Sequence, residues 1–434
     1  MLLEKFKHFE LNKIALKGSG FSFSYAQVLE IIKSRAGFFQ KRNETFLLCH
    51  TLEIENLLNF LAIMAAGKKA VMGGKSLDFN QKDSFSKQHN LKIIDFVPVS
   101  EQRTEDFEKP KPSDLFLGVL SSGTSGQSKL IWKDYQAWFS AFPHQSTIFG
   151  LNQEDNVFVL DALAYSANLN TILHALWLGL SVFLGKISEA SKWQEEMVKN
   201  DISSVFLVPS HIRLLMANHS AEIPRLKSLV SAGEKLDAKL AQSILIKFEG
   251  VLLTEYYGAA ELGHISYIQN QDIINHPTSV GKAFPEVEIK LKENKIWVES
   301  PYVSPNYRAN ATVSDFGEID TDGFLYVLGR EGRMFNRRGL NIFAEEIENS
   351  ALLHPFVLEA VAISSPNREH SIDLIVVKKE PISKSELRDF LIKKLPQNKL
   401  PNRILFKESL PRNPSGKIDI KALSKRPVEE EIFA

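Results

Sequence analysis

Between Thr45 and Val97 short apolar runs alternate with amphipathic stretches, and this alternation constrains the fold more than any other feature. Residues 45–50 read as a strand. Thr51 is placed to cap a helix carrying Ile54, Leu57, Leu58, Leu61 and Met64, closed by Gly67. Short strands follow at 69–72 and 91–97. Ahead of them, residues 24–41 form an expected helix with Ser24 as N-cap and Val28, Ile31, Ile32 and Phe38 on its apolar face. Strand–helix–strand alternation implies a mostly parallel sheet covered by helices.

The pattern recurs between 155 and 260. Apolar runs lie at 157–160, 182–184, 205–208, 229–230 and 251–253, with a helical stretch at 238–248. From about residue 280 the period changes to two, with a hairpin turning at 292–295 and strands flanking the Asp320-Thr321-Asp322-Gly323 turn. A tail follows, with helices near 344–353 and 384–395 and strands near 358–363 and 372–378; Ser383 and Glu386 form a capping box. The expected fold class is α/β. A large N-terminal domain, 1–329, comprises lobes at about 1–150 and 151–270 and a β-rich part at about 280–329. A hinge at 330–333 leads to a small mobile α+β domain at 334–434.

Composition narrows the function classes. Lys plus Arg and Asp plus Glu both number 52, so no global field favours nucleic acid or an anionic membrane. The single cysteine, Cys49, ends an apolar run and reads as a buried small hydrophobe; with no internal disulfide possible, a cytoplasmic location is expected. The N-terminus mixes charges among apolar residues and is not a signal peptide. The longest apolar helix, 57–66, falls short of the ~20 residues that cross a bilayer. The sequence holds no internal repeat and no metal-ligand cluster.

Four polar clusters interrupt the apolar strands. After the apolar run 115–120 come Ser121-Ser122-Gly123-Thr124-Ser125-Gly126-Gln127-Ser128-Lys129. Hydroxyls, free backbone N–H groups and one ammonium suit a polyphosphate, although a Ser/Gly-rich surface turn reads the same way taken alone. A Walker A loop is excluded, because Gly126 precedes Gln127 rather than Lys. Tyr256-Tyr257-Gly258-Ala259-Ala260-Glu261 ends the strand at 251–253 with two aromatics and one acid. Ser314-Asp315-Phe316-Gly317 sets a carboxylate before a strand pair. Pro411-Arg412-Asn413-Pro414-Ser415-Gly416-Lys417 is a proline-bounded turn presenting a lysine.

In this order and spacing the set resembles the AMP-forming adenylate superfamily: acyl-CoA synthetases, peptide-synthetase adenylation domains and luciferases, with acyl-CoA synthetases the nearest. The likeness runs from about Thr45 to Leu423. It implies that Ser121, Ser122, Gly123, Thr124, Ser125, Gly126 and Lys129 close over the β- and γ-phosphates of ATP. Gly233, Glu234, Tyr257, Gly258 and Ala259 would frame the nucleotide, Glu261 would hold Mg²⁺, and Asp315 and Arg330 would bind ribose hydroxyls. Lys417 would bridge the acid and the α-phosphate. After rotation about Gly332, Gly339 would line the pantetheine tunnel and Arg337 and Arg338 would meet coenzyme A. Departures from the family pattern are Ala260, where a Thr is usual, and Gly332, Asn336, Ser128 and Leu130.

The resemblance also implies the chemistry: a carboxylic acid becomes an acyl-adenylate with loss of pyrophosphate, and the acyl group passes to coenzyme A. Loading of a carrier-protein phosphopantetheine and a catalytically impaired adenylate-binding paralogue are the alternatives. Ser166 stands where amino-acid-activating relatives place an Asp, and a buried ammonium left unpaired there would be costly. A fatty or aryl acid is therefore expected, in a slot formed by Tyr165, Ser166, Leu169, Val208, Ala232 and Gly258, with His211 and His264 as candidate polar contacts.

Overall fold

The computed structural model describes residues 2–74, 79–95, 97, 107–122, 128–217, 222–337, 340–365, 371–412 and 418–425. The first α/β unit is a five-stranded sheet. Its order is Leu91–Ile94, Thr45–Leu48, Ala70–Met72, Leu115–Ser122 and Ser128–Asp134. The first four strands are parallel and the last returns antiparallel as a hairpin. Helix Tyr25–Gln40 starts at Ser24, which exchanges capping-box bonds with Gln27.

Thr51 does not cap the next helix. Glu53–Ala65 begins after Leu52 without a side-chain cap. Asn56 reaches back instead, accepting from the His50 N–H at 2.8 Å and donating to the His50 carbonyl at 2.9 Å. Gly67, in the left-handed region at φ 66°, closes the helix as expected. Cys49 is buried, and burial pushes its thiol up to about 12.

The second sheet has thirteen strands. From Leu252–Ala259 the parallel order runs through Ser228–Ala232, Ser204–Phe206, Asn156–Leu160 and Ser181–Gly185 to Ile14–Gly18. The chain's first hairpin, Ile14–Gly18 with Phe21–Ser24, thus edges the second sheet rather than the first, and the expected lobe over 1–150 is divided between them. On the other side Gly263–Gln269 and Ser279–Ala283 carry the sheet antiparallel into Leu325–Arg330, Asp315–Ile319 and the 288–299 hairpin. The β-rich part therefore continues this sheet. Its hairpin turns through Glu293 and Asn294, both at positive φ.

The tail packs Ala344–Leu352 and Lys384–Ile392 on a three-stranded sheet of Val357–Ser364, Ile372–Lys378 and Arg403–Lys407 around its own core. The Ser383–Glu386 capping box is present. Among the described residues no helix is long and apolar enough to cross a membrane.

Candidate active site

Ligand sites in parallel α/β sheets lie beyond the carboxyl ends of the strands. Here Tyr165 and Val208 follow the strands Asn156–Leu160 and Ser204–Phe206, Gly233 follows Ser228–Ala232, and Tyr257 sits near the end of Leu252–Ala259. From the other sheet, the end of Leu115–Ser122 approaches the same place. The Ser121 hydroxyl donates to the Glu261 carboxylate at 3.3 Å, joining two expected site residues 140 positions apart. Lys129, exposed, pairs across the hairpin with Ser121, and Ser122 ends its strand. Gly123, Thr124, Ser125 and Gly126 lie outside the described residues, as do Arg338, Gly339 and Lys417.

Asp315, 2% exposed, is the best-held group. Its carboxylate accepts from the Tyr257 hydroxyl at 2.5 Å and from Arg330 Nε at 2.7 Å and Nη2 at 3.3 Å. Burial, then the Asp315 charge, push the Tyr257 phenol well above its usual value, so it donates at any working pH. Three expected nucleotide residues thus form one preorganised unit.

Gly233 has φ 89°, and a Cβ there would sit 2.0 Å from the Tyr165 hydroxyl. Gly258 is as closely constrained: a Cβ would meet the Gly263 carbonyl oxygen at 2.4 Å. Both positions demand glycine so that backbone can pass backbone or a ring. Glu234 lies close enough to Tyr165 to raise its phenol further, after burial.

A small apolar recess is lined by Tyr165, Phe206, Val208 and His211, with Leu160 and Ala162. Burial, then Arg412, lower the His211 imidazole to about 4, leaving it neutral near pH 7. Ser166 opens helix Ser166–Leu178 and Ala232 ends its strand beside Gly233. Two expected residues depart from the slot. Leu169 is fully buried in the main core rather than lining the recess. His264 is clamped between the Tyr256 and Phe284 rings and bonded to Gln145 Nε2 at 2.8 Å, a core position. Ala259 packs partly buried on the core beneath the 288–299 hairpin.

Arg337 is bonded within the small domain. Its guanidinium donates to the carbonyls of Asn398 at 2.8 Å and Leu400 at 2.9 Å and to the Asn402 side chain. Those bonds tie the Met334–Arg337 ribbon to the small domain's own loop. Gly332 sits in the Glu331–Arg333 turn. Before it, Glu331 accepts from Lys295 Nζ at 2.9 Å and its N–H donates to the Ser314 carbonyl at 3.1 Å. After it, Arg333 pairs with Glu348 at 2.5 Å and Glu345 at 3.0 Å. Gly332 lies between two anchored neighbours.

Lys133 lies outside the polar sequence clusters. It is 2% exposed, and burial lowers its ammonium to about 8 against the opposing pull of Glu261. The signal was available: strand alternation puts Lys133 on the face of Ile131, which is 1% exposed.

The sequence signature of the AMP-binding enzymes matches residues 71–307, over half of the chain, and that of the AMP-binding enzyme C-terminal domain matches 346–417. The chain belongs to the AMP-binding enzyme family. Among other members, the uncharacterized acyl–CoA ligase YhfT of Bacillus subtilis is 28% identical over 351 residues, 77% of this chain and 73% of its own. A 2-succinylbenzoate–CoA ligase of Listeria monocytogenes is 25% identical over 326 residues, covering 71% and 69%. The O-succinylbenzoate coenzyme A synthetase of Bacillus subtilis, solved with ATP and magnesium, superposes with a TM-score of 0.83 at 20% identity, over 96% of this chain and 98% of that one. The AMP-binding fold, a large domain followed by a small C-terminal one, is thus shared along nearly the whole chain.

The donor set fits a nucleotide-borne metal. Among the described residues no group of three or more His, Cys, Asp or Glu side chains gathers to form a metal cage. Mg²⁺ needs few protein carboxylates when phosphate oxygens and water supply the remaining ligands. Glu261, beside Ser121, offers one such carboxylate.

Proposed function

We propose that this AMP-binding enzyme is an AMP-forming acid–CoA ligase acting on a fatty or aryl carboxylic acid. The observation that carries the reading is the Tyr257–Asp315–Arg330 unit together with the Ser121–Glu261 contact, formed by residues expected to bind ribose and metal-borne phosphate. The acid's carboxylate oxygen attacks the α-phosphorus of ATP. The bond to the β-phosphate breaks and pyrophosphate leaves with its electron pair. The thiolate of coenzyme A then attacks the acyl carbon and AMP departs.

Both reactants of the first step are anions, so catalysis is a matter of neutralising charge and fixing geometry. Mg²⁺, when bound at Glu261, supplies part of that neutralisation. Asp315 and Arg330 bind the ribose hydroxyls and Tyr257, held on Asp315, frames the base; Ser121 holds the Glu261 carboxylate, and Lys417 supplies a cation to the α-phosphate. Gly233, framing the nucleotide, abuts Tyr165 of the acyl slot, and the recess at Phe206, Val208 and neutral His211 favours an apolar acid. The curated relatives are named as CoA ligases, which supports coenzyme A over a carrier domain as acceptor. A cytoplasmic location accords with one buried cysteine.

Acid-dependent ATP–pyrophosphate exchange across a panel of fatty, aryl and dicarboxylic acids tests this, with and without coenzyme A. Exchange with an apolar acid, and thioester formation when coenzyme A is added, are expected. ATP binding with no exchange for any acid would sink the ligase reading.

A further inference from the structure

Tyr165 lies in the connection between the strand Asn156–Leu160 and the helix Ser166–Leu178, and its backbone is held from both sides. Its N–H donates to the Ala162 carbonyl at 3.2 Å, and its carbonyl accepts from the Asn168 N–H at 3.1 Å. From there the side chain reaches the turn after Ser228–Ala232. A Cβ built on Gly233 would stand 2.0 Å from the Tyr165 hydroxyl and 3.8 Å from Val208 Cγ1. The hydroxyl therefore fills the space over the Gly233 backbone, with Val208 beside it.

The ring of Tyr165 also forms one wall of the apolar recess, with Leu160, Phe206, Leu207 and His211 among the others. The recess measures about 20 Å³, little more than one water molecule requires. Its walls are not free to spread. Leu160, Phe206 and Leu207 are no more than 6% exposed. The Asn168 amide donates to the Leu160 carbonyl at 3.1 Å, and His211 meets the Trp193 ring edge-on at 6.2 Å between centroids. Close-packed side chains of this kind resist enlargement. Gly233 stands on the nucleotide side of the ring and the recess on the other.

Resting on the ligase reading, we infer that Tyr165 is the residue that sets acid length: its phenol stops the acyl chain at Gly233, so the enzyme activates short-chain aliphatic acids in preference to long-chain or aryl ones. The recess is the far end of a longer slot that the ring fills. Forcing extra methylenes or an aromatic ring against these walls displaces packed side chains, and that cost is what discriminates against a longer acid.

Stable mimics of the acyl-adenylate, adenosine 5′-sulfamates carrying a butyryl, octanoyl or benzoyl group, test this by calorimetry on the full chain without turnover. In the parent the octanoyl and benzoyl mimics are expected to bind about tenfold or more weakly than the butyryl one. In Tyr165→Ala the octanoyl mimic becomes the tighter ligand, because the slot and the recess join. Tyr165→Leu, a gentler change, moves the same ratio in the same direction but less far. His211→Ala enlarges the recess behind the ring and leaves the ring in place, so it keeps the parental order. Equal affinity for the three mimics in the parent overturns the inference. So does a parental order in both Tyr165 variants, or a reversal in His211→Ala. Each comparison is made within one variant, so a general loss of affinity does not disguise the result. Failure of the parent to bind AMP or any mimic would instead strike at the ligase reading.

Discussion

The Tyr257 hydroxyl donates to the Asp315 carboxylate at 2.5 Å, across 58 residues of sequence. The same carboxylate takes two bonds from Arg330. Replacing Asp315 by Asn keeps the shape but removes the charge. AMP binding is expected to weaken by about 10-fold, as when one partner of a charge-assisted buried bond is lost. Tyr257→Phe should cost less, about 1 kcal/mol of stability. Titration calorimetry with AMP and with its 2′,3′-dideoxy analogue checks the assignment. An equal loss for both ligands would remove Asp315 from ribose binding.

Gly233 and Tyr165 are coupled. A methyl at Gly233 collides with the Tyr165 hydroxyl at 2.0 Å, and φ 89° disfavours any L side chain. Gly233→Ala is expected to lose acid-dependent exchange and to melt early. Adding Tyr165→Phe should restore part of the stability, leaving a residual penalty of about 1 kcal/mol from the left-handed backbone. If the double variant melts no higher than the single one, the collision is not what limits this position.

Gly332 stands between Glu331, held by Lys295 and Ser314, and Arg333, held by Glu348 and Glu345. The proposed rotation of the small domain would then fall on one residue. Gly332→Pro should leave pyrophosphate exchange nearly intact and slow thioester formation on the order of 100-fold. The ratio of the two half-reactions, measured on one preparation, decides it. A parallel fall in both would make the turn a structural element only.

Two buried histidines give the fold an acid limit. Burial, then His264, lowers His174 to about 3, and burial, then Lys133, lowers His264 to about 3. Folded values below the ordinary ~6.5 mean that the unfolded chain takes up protons first as pH falls. Stability is level above about pH 6.5 and declines toward pH 3, by about 1.4 kcal/mol per pH unit for each histidine. Urea melts of His174→Gln between pH 6 and 4 should show a slope shallower by that amount. An unchanged slope would mean that His174 is protonated in the folded protein.

What the sequence made legible was local. The capping boxes at Ser24 and Ser383, the turn at Gly323 and the strand ends carrying Tyr257 and Asp315 depend on neighbours a few positions away. Thr51 misled because Asn56, five residues on, satisfies the helix entrance from inside. The partners of Arg337, near residue 400, are fixed by tertiary packing and are not legible from spacing. Leu169 and Val208 are equally apolar in sequence, and only the fold separates core from recess. The burial of Lys133 is not legible in its residue type, because a lysine in a strand ordinarily extends its stem to water.

The first hairpin carries a consequence for how the protein is made. Gly18 leaves the ribosome long before Leu184, its parallel neighbour in the second sheet. Until that strand emerges, Ile14–Gly18 has one edge without a partner, and such edges invite pairing with the wrong chain. Lys17 sits on that edge strand and the sequence keeps the segment to five residues, both features that discourage such pairing. The chain therefore closes its second sheet late in synthesis, when its beginning is recaptured by its middle.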